Sequence, residues 1–430
     1  MRIINEKQLG IGEILGQLRS TRSDSADVKE RVLEIMEDVK KRGDKALFEL
    51  TARFDKAQLE TLKVSPEEIA AAYGKVDKSL VQALKRAQEN IAKFHKTTFC
   101  KKGPKIETQK GVNVWQEFRP IENVGFYVPG GTAAYPSTVL MLGVPANLAG
   151  CKKIVMCSPP LPNGEINPSI LVAADLCGIT DIFKVGGAQA VAAMAYGTET
   201  IPKVYKIFGP GNQYVSTAKM LVYGQVDIDM PAGPSEVLII ADESAKPSSV
   251  AGDLLSQLEH GTDSQAVLVT FSEDFAREVI KEMQKQMQNL PRREIIEESF
   301  AKSFAVVVDS VKKAVEVANE YAPEHLEIVM RTAKSENAIL AQINNAGSVF
   351  LGKWASEPVG DYVSGSNHTL PTSGYAKMFS GLSASSFGKY MQIQRISKGG
   401  LEKLRKTVEV IAGYEGLQAH AAAVTNRFKK

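Results

Sequence analysis

Long apolar runs are missing from this chain. No stretch approaches the roughly 18 consecutive apolar residues of a membrane span. Met1 to Leu9 mixes charged and apolar side chains where a secretory signal would carry its apolar core. A cytoplasmic location with no membrane partner is therefore expected. An excess of one charge sign is missing too. Lys and Arg number 52 against 49 Asp and Glu, a balance that leaves no basic footprint for nucleic acid. Cysteine is scarce: Cys100, Cys151, Cys157 and Cys177 contain no Cys-x-x-Cys pair. Three of them fall in segments that read as buried strand or helix, which points to reduced core residues rather than a catalytic thiol. Neither a Gly-x-Gly-x-x-Gly turn after a strand nor a His-Glu-x-x-His helix occurs, so the usual dinucleotide and metalloprotease signatures are absent.

What is present suits a soluble globular protein, with 44% hydrophobic and 23% charged residues in 430. That length exceeds one core and predicts two or three domains. The first 22 residues offer Ile11, Ile14, Leu15 and Leu18 as one short amphipathic arm. Val28, Val32, Met36 and Val39 recur at helical spacing between Ala26 and Phe54. Ser65-Pro66-Glu67-Glu68 is a capping box with proline at N1, opening a long helical stretch towards His95. His95 follows Phe94 among lysines with no acidic neighbour, and reads as a surface or packing residue.

From Val112 the pattern changes to alternating short apolar strands and helices. Val124–Val128, Ile154–Cys157, Ile182–Val185 and Val204–Phe208 alternate with helices near 137–148, 170–176 and 188–196. After Pro231-Ala232-Gly233-Pro234-Ser235-Glu236 the alternation restarts. Strands at 237–241, 266–271, 305–308, 326–330 and 348–351 separate helices near 247–260, 273–288, 310–321 and 335–344. Two α/β units of similar size follow, roughly 121–234 and 235–352, each built on a parallel sheet, with a site between them as the natural expectation. Residues 353–388 show no sustained period and are too long for an idle loop. The tail from Leu401 carries two helical patterns too small to make their own core, so it must dock on this subunit or a second one.

The candidate chemistry lies in four polar clusters. Gln257 and His260, in Ser256-Gln257-Leu258-Glu259-His260-Gly261, sit one turn apart at a helix end, where they either share a ligand or serve only as a histidine bonding the last free carbonyls beside a solvated glutamine. Asp253 on the same flank is either a rival donor or a supporting partner. Glu324 and His325 adjoin between a helix and a strand. Asp361 and His368 lie in the long loop, and Glu415 and His420 in the tail. Gln257, His260, Asp361 and His420 would make an oxygen and nitrogen set acceptable to zinc, an ion that imposes no geometry of its own. Glu324 and His325 would remain as an acid/base pair, the imidazole suited to proton transfer near neutrality. Pro129-Gly130-Gly131-Thr132 and Gly209-Pro210-Gly211-Asn212, between strand and helix, could hold phosphate through backbone amides or serve only as turns. On these residues alone, a zinc hydrolase using Glu324 and a two-lobed metal- or solute-binding protein also stay open.

Taken together, these phrases resemble the histidinol dehydrogenase family. The resemblance rests on Phe126-Tyr127-Val128-Pro129-Gly130-Gly131-Thr132, Gly209-Pro210-Gly211-Asn212, Pro231 to Glu236, Ser256 to Gly261, Ala322-Pro323-Glu324-His325, Gly360-Asp361-Tyr362, Ser366-Asn367-His368-Thr369-Leu370-Pro371-Thr372 and Glu415-Gly416-Leu417-Gln418-Ala419-His420. It implies oxidation of L-histidinol to L-histidine through the aldehyde, with two NAD+ consumed. It implies zinc on Gln257, His260, Asp361 and His420, where the metal anchors substrate. His325 would be the base for alcohol oxidation, and Glu324 would activate water for aldehyde oxidation. Ser235, His368 and Glu415 would contact substrate; Tyr127, Gln189 and Asn212 would contact NAD+. A homodimer is implied, with the tail completing the partner's site. The expected fold is α/β, with two similar, incomplete Rossmann-like parallel-sheet domains and small helical N- and C-terminal segments. The expected division is an arm over 1–22; a first domain of 23–120 with 235–380, carrying the metal and acid/base residues; an NAD-binding domain over 121–234; and a helical segment over 381–430.

Overall fold

The computed structural model describes residues 1–7, 9–19, 26–130, 134–231 and 233–429. Residues 20–22 of the expected arm, Gly131 and Thr132 of one motif, and Ala232 of another lie outside the described residues.

The central strands of the two parallel sheets are short and buried on both faces, the composition that such sheets need when helices cover each side. In the first half the strands are β1 (Arg2–Asn5), β2 (Ile106–Gln109), β3 (Val112–Pro120), β4 (Asn123–Tyr127), β5 (Lys153–Ser158), β6 (Asp181–Lys184) and β7 (Lys206–Phe208). The rest are β8 (Asp227–Ile228), β9 (Glu236–Ala241), β10 (Gln265–Thr270), β11 (Phe304–Val307), β12 (His325–Val329), β13 (Ser348–Leu351) and β14 (Gly388–Ile396). Two sheets are wholly parallel: five strands in the order β6-β5-β4-β7-β8, and six in the order β1-β11-β10-β9-β12-β13. A smaller antiparallel sheet has the order β14-β3-β2. The α/β class with two parallel sheets is as expected from the alternation.

Each parallel sheet reverses its winding direction once. In the five-stranded sheet the reversal falls between β4 and β7, and in the six-stranded sheet between β9 and β12. Loops diverge at such points and leave a crevice.

The chain termini trade places relative to the expected division. Residues 26–98 mainly cover the five-stranded sheet rather than the six-stranded one, although Asn90 also donates to the carbonyl of Val363. Val28, Val32, Met36 and Val39 of the Ala26–Arg42 helix join one core with Val155, Phe183 and Val191. The Lys78–Thr98 helix lies on the Pro136–Ala149 helix on the other side. Conversely, β1 hydrogen-bonds to β11 at the edge of the six-stranded sheet. The Ile11–Arg19 helix buries Ile14, Leu15 and Leu18 in the same core as Val317 and Tyr321. Helical periodicity identifies the apolar face of each helix but not which sheet it will cover. Four residues of strand are also too few to show a period. The segment expected to be helical from 381 first forms strand β14, paired along its length with β3. Helices Lys398–Tyr414 and Gln418–Thr425 follow and pack on each other, with Ile411, Tyr414 and Leu417 exposed.

Candidate active site

The crevice at the carboxyl ends of the five-stranded sheet faces the amino ends of the six-stranded sheet. Gly209 and Pro210 follow β7, Asp229 and Met230 follow β8, and both pairs therefore sit at carboxyl ends in the five-stranded sheet. Ser235 precedes β9 and Glu324 precedes β12, at amino ends in the six-stranded sheet. Together with His368 these residues line a cavity of about 40 Å3. A larger hollow of about 490 Å3 lies over β2, β3 and β14, and no titratable side chain lines it.

The acid/base pair is placed by a sharp helix-to-strand turn. Ala322, in the left-handed region at φ 52, closes the Val311–Tyr321 helix; Pro323 and Glu324 lead directly into His325, the first residue of β12. Both side chains are buried. Glu324 Oε2 accepts from the backbone N–H of Glu236 at 3.0 Å and lies 3.8 Å from Nδ1 of His325. Burial pushes the Glu324 carboxyl up to about 8, with the neighbouring imidazole pulling the other way. Burial also disfavours charge on His325, but Glu324, Asp361 and Glu357 outweigh it and raise the imidazole to about 10.

Gln257 is buried on the Pro247–Leu258 helix, and its Oε1 lies 3.0 Å from Nδ1 of His325. An amide oxygen only accepts, so Nδ1 carries the proton and Nε2 is the nitrogen turned to the other side. There it meets Asp361 Oδ1 at 3.4 Å and Glu357 Oε1 at 3.7 Å. His260, just beyond the helix end, donates from Nδ1 to its own helix carbonyl at Ser256, 3.1 Å away, which leaves Nε2 as a lone-pair donor. His368 is half-buried, with Nε2 buried and unpartnered; burial lowers its basicity.

Asp361 comes from a helix inside the long loop, Glu357–Tyr362. Gly360 lets that helix lie flat on Phe350, since a Cβ there would stand 2.5 Å from the ring. Glu357, which sequence reasoning missed, is buried on the same helix face; its Oε2 accepts from Ser256 Oγ at 3.0 Å and its Oε1 has no hydrogen-bond partner. Burial, together with Asp361, raises it to about 8. For Asp361, burial is opposed and outweighed by His325, so its carboxyl falls below the usual range. Ser356-Glu357-Pro358 is a helix-start signal, and Glu357 precedes Asp361 by four residues. That spacing could have revealed it.

The donor set suits a divalent cation. His325, Glu357 and Asp361 bring ligand atoms within 4.8 Å of one another, and Asp361 Oδ1 is buried without a hydrogen-bond partner. Of the four residues expected to hold metal, Gln257 and Asp361 meet at His325, and His260 stands just past the end of the helix that carries Gln257. His420 does not join them: it is exposed on the Gln418–Thr425 helix, and Glu415, expected to contact substrate, is exposed in the turn before it. Among the expected cofactor contacts, Tyr127 is buried and its hydroxyl accepts from Gly187 N at 3.2 Å. Gln189 is buried beside Gly187, and Asn212 caps the Gln213–Val222 helix through Oδ1. All three border the reversal between β4 and β7. Lys219 and Asp229 form a buried ion pair that also bonds both backbone groups of Gly209, holding the loop that lines the cavity.

Fold and site together define an α/β enzyme whose buried acid/base cluster faces a crevice between two parallel sheets. The family model describing histidinol dehydrogenase matches residues 18–428. A histidinol dehydrogenase of Bacteroides fragilis is 51% identical over 93% of this chain and 92% of its own length. One from Methanosarcina mazei is 46% identical over 96% and 94%. A crystal structure of histidinol dehydrogenase from Elizabethkingia anophelis superposes with a TM-score of 0.94 at 47% identity, covering 99% of this chain and 98% of that one. The chain belongs to the histidinol dehydrogenase family, and is thus an oxidoreductase of histidine biosynthesis.

Proposed function

We propose that the chain oxidises L-histidinol to L-histidine through L-histidinaldehyde, with one hydride passed to each of two NAD+ molecules, as a cytoplasmic homodimer. The observation that carries this reading is the pairing of Glu324 and His325, two buried proton-transfer groups of different character on one strand end. Zinc on Gln257, His260, Asp361 and His420 of a second copy would anchor the substrate's imidazole and amino nitrogens and take up the charge of Asp361. Gln257 Oε1 has two lone pairs, so it can serve that site while still holding the Nδ1 proton of His325. With the charge of Asp361 taken up by the metal, Nε2 of His325 would be released to accept the hydroxyl proton as the carbinol hydride passes to NAD+. Glu324 would take a proton from water as its hydroxide adds to the aldehyde, and the resulting diol anion would pass the second hydride to NAD+ and become the carboxylic acid. Ser235, His368 and Glu415 hold the substrate. Tyr127, Gln189 and Asn212 hold NAD+ along the β4–β7 crevice, which supports cofactor binding without a Gly-x-Gly-x-x-Gly turn. The test is direct: purified protein given histidinol and NAD+ should form two NADH per histidine, and chelation should abolish the reaction. Zinc-loaded protein without histidinol-dependent NADH formation would overturn the reading.

A further inference from the structure

The metal-side residues reach the site on three separate elements, and something must hold those elements in register. Gln257 stands on the Pro247–Leu258 helix, His325 on β12 and Asp361 on the Glu357–Tyr362 helix. The last is only six residues long and lies in an otherwise irregular segment, so its own backbone bonds fix it weakly.

Behind the site, its amino end is gripped from both neighbours. Glu327, two residues along β12 from His325 and so on the same face, is buried and accepts the backbone N–H of Glu357 at 2.8 Å. Asp253, one turn before Gln257, accepts the hydroxyl of Ser356 at 2.5 Å. Ser356 is the cap residue of the short helix, yet its side chain makes no capping bond and is given to Asp253 instead. Glu327 and Asp253 adjoin closely enough for each carboxyl to perturb the other. Neither residue is among the groups turned to substrate, metal or cofactor.

The geometry points to Glu327, with Asp253, as a positioning pair that locks the helix bearing Glu357 and Asp361 to the strand of His325 and the helix of Gln257. This rests on the metal reading given above. A neutral amide can do what Glu327 does here, its oxygen accepting from Glu357 N and its NH2 donating to Asp253, whereas an apolar side chain can do neither.

The experiment strips the purified full-length protein of metal and titrates zinc back against a chromophoric chelator. E327L should bind zinc about tenfold to a hundredfold more weakly than the unmodified chain, the usual cost of losing a group that orients a ligand. E327Q should stay within about threefold of the unmodified chain, and excess zinc should restore histidinol oxidation in E327L. Unchanged zinc affinity in E327L, or equal losses in E327Q and E327L, would overturn the inference. If E327L does not fold, S356A removes the other anchor and should weaken zinc severalfold; an unchanged affinity there would equally overturn it. D361A separates the two readings: if the unmodified chain takes up no zinc, or D361A leaves zinc uptake intact, it is the metal reading that fails.

Discussion

Oε1 of Gln257 and Nδ1 of His325 meet at 3.0 Å across two elements, and through this bond one residue decides which imidazole nitrogen is free to act as a base. Replacing Gln257 by Glu keeps the shape but sets a carboxylate against Nδ1. The imidazole then holds its proton more tightly, and the pH at which alcohol oxidation reaches half its maximum should rise by about one unit. A pH profile of kcat for histidinol measures it, and an unshifted profile would show that this contact does not tune the base.

The division of labour between Glu324 and His325 predicts opposite lesions. H325N should depress alcohol oxidation, and E324Q should depress aldehyde oxidation more than the alcohol step, each by about a hundredfold. Stopped-flow traces starting from histidinol and from histidinaldehyde separate the two steps. Because burial holds the Glu324 carboxyl near 8, its base form grows as pH rises through that value. Aldehyde oxidation should therefore rise across the same range and level off above it.

Gly209 has φ +121, and a Cβ on it would stand 2.0 Å from the carbonyl oxygen of Tyr127. G209A must push the loop after β7 away from β4, at the crevice assigned to NAD+. It should lose about 2 kcal/mol or more of stability and raise the KM for NAD+. Urea midpoints and initial rates at varied NAD+ read both effects; an unchanged KM would detach this loop from the cofactor.

Much of this was legible in the sequence because the strands are short apolar runs with punctuated ends. The parallel sheets, the helix behind Gln257 and the turn into His325 follow from local signals that tertiary packing did not override. What was not legible depends on partners far along the chain. Nothing between Ala26 and Thr98 says which sheet its helices will cover, and β14 pairs with β3 across more than 260 residues. Glu327 is likewise hidden, since within a buried strand it reads as an ordinary interruption of an apolar run. His95, which its neighbours allow either at the surface or in packing, is fully buried, with neither ring nitrogen hydrogen-bonded among the described residues.

His95 makes a prediction about acid stability. Burial lowers it to about 4, so the folded protein holds it neutral while the unfolded chain takes up a proton near the ordinary value of 6.5. The unfolded state binds the extra proton between those values. Stability from this site is therefore full above about 6.5 and is lost as pH falls towards 4. Going from pH 7.5 to 5 should remove about 2 kcal/mol through His95. H95F should lose correspondingly less over the same interval, compared by urea unfolding at both pH values. Equal losses in the two proteins would mean that His95 does not titrate differently in the folded state.

The exposure of Ile411, Tyr414, Leu417 and His420 on the tail, against the burial of His325 and Asp361, bears on how many chains make one site. If the tail of one copy supplies His420 and Glu415 to its neighbour, H420A and E324Q damage a site through different subunits. Each protein alone should be nearly inactive. Unfolded together and refolded as an equal mixture, half of the dimers pair one variant with the other. In each of these, one site carries both lesions and the other carries none, so about a quarter of the unmodified activity should return. If each site were built within one chain, every site in the mixture would keep a lesion and no activity would return. Separately refolded and then mixed samples, given no time to exchange subunits, should stay inactive; that control ties any recovered activity to shared sites rather than to trace contamination.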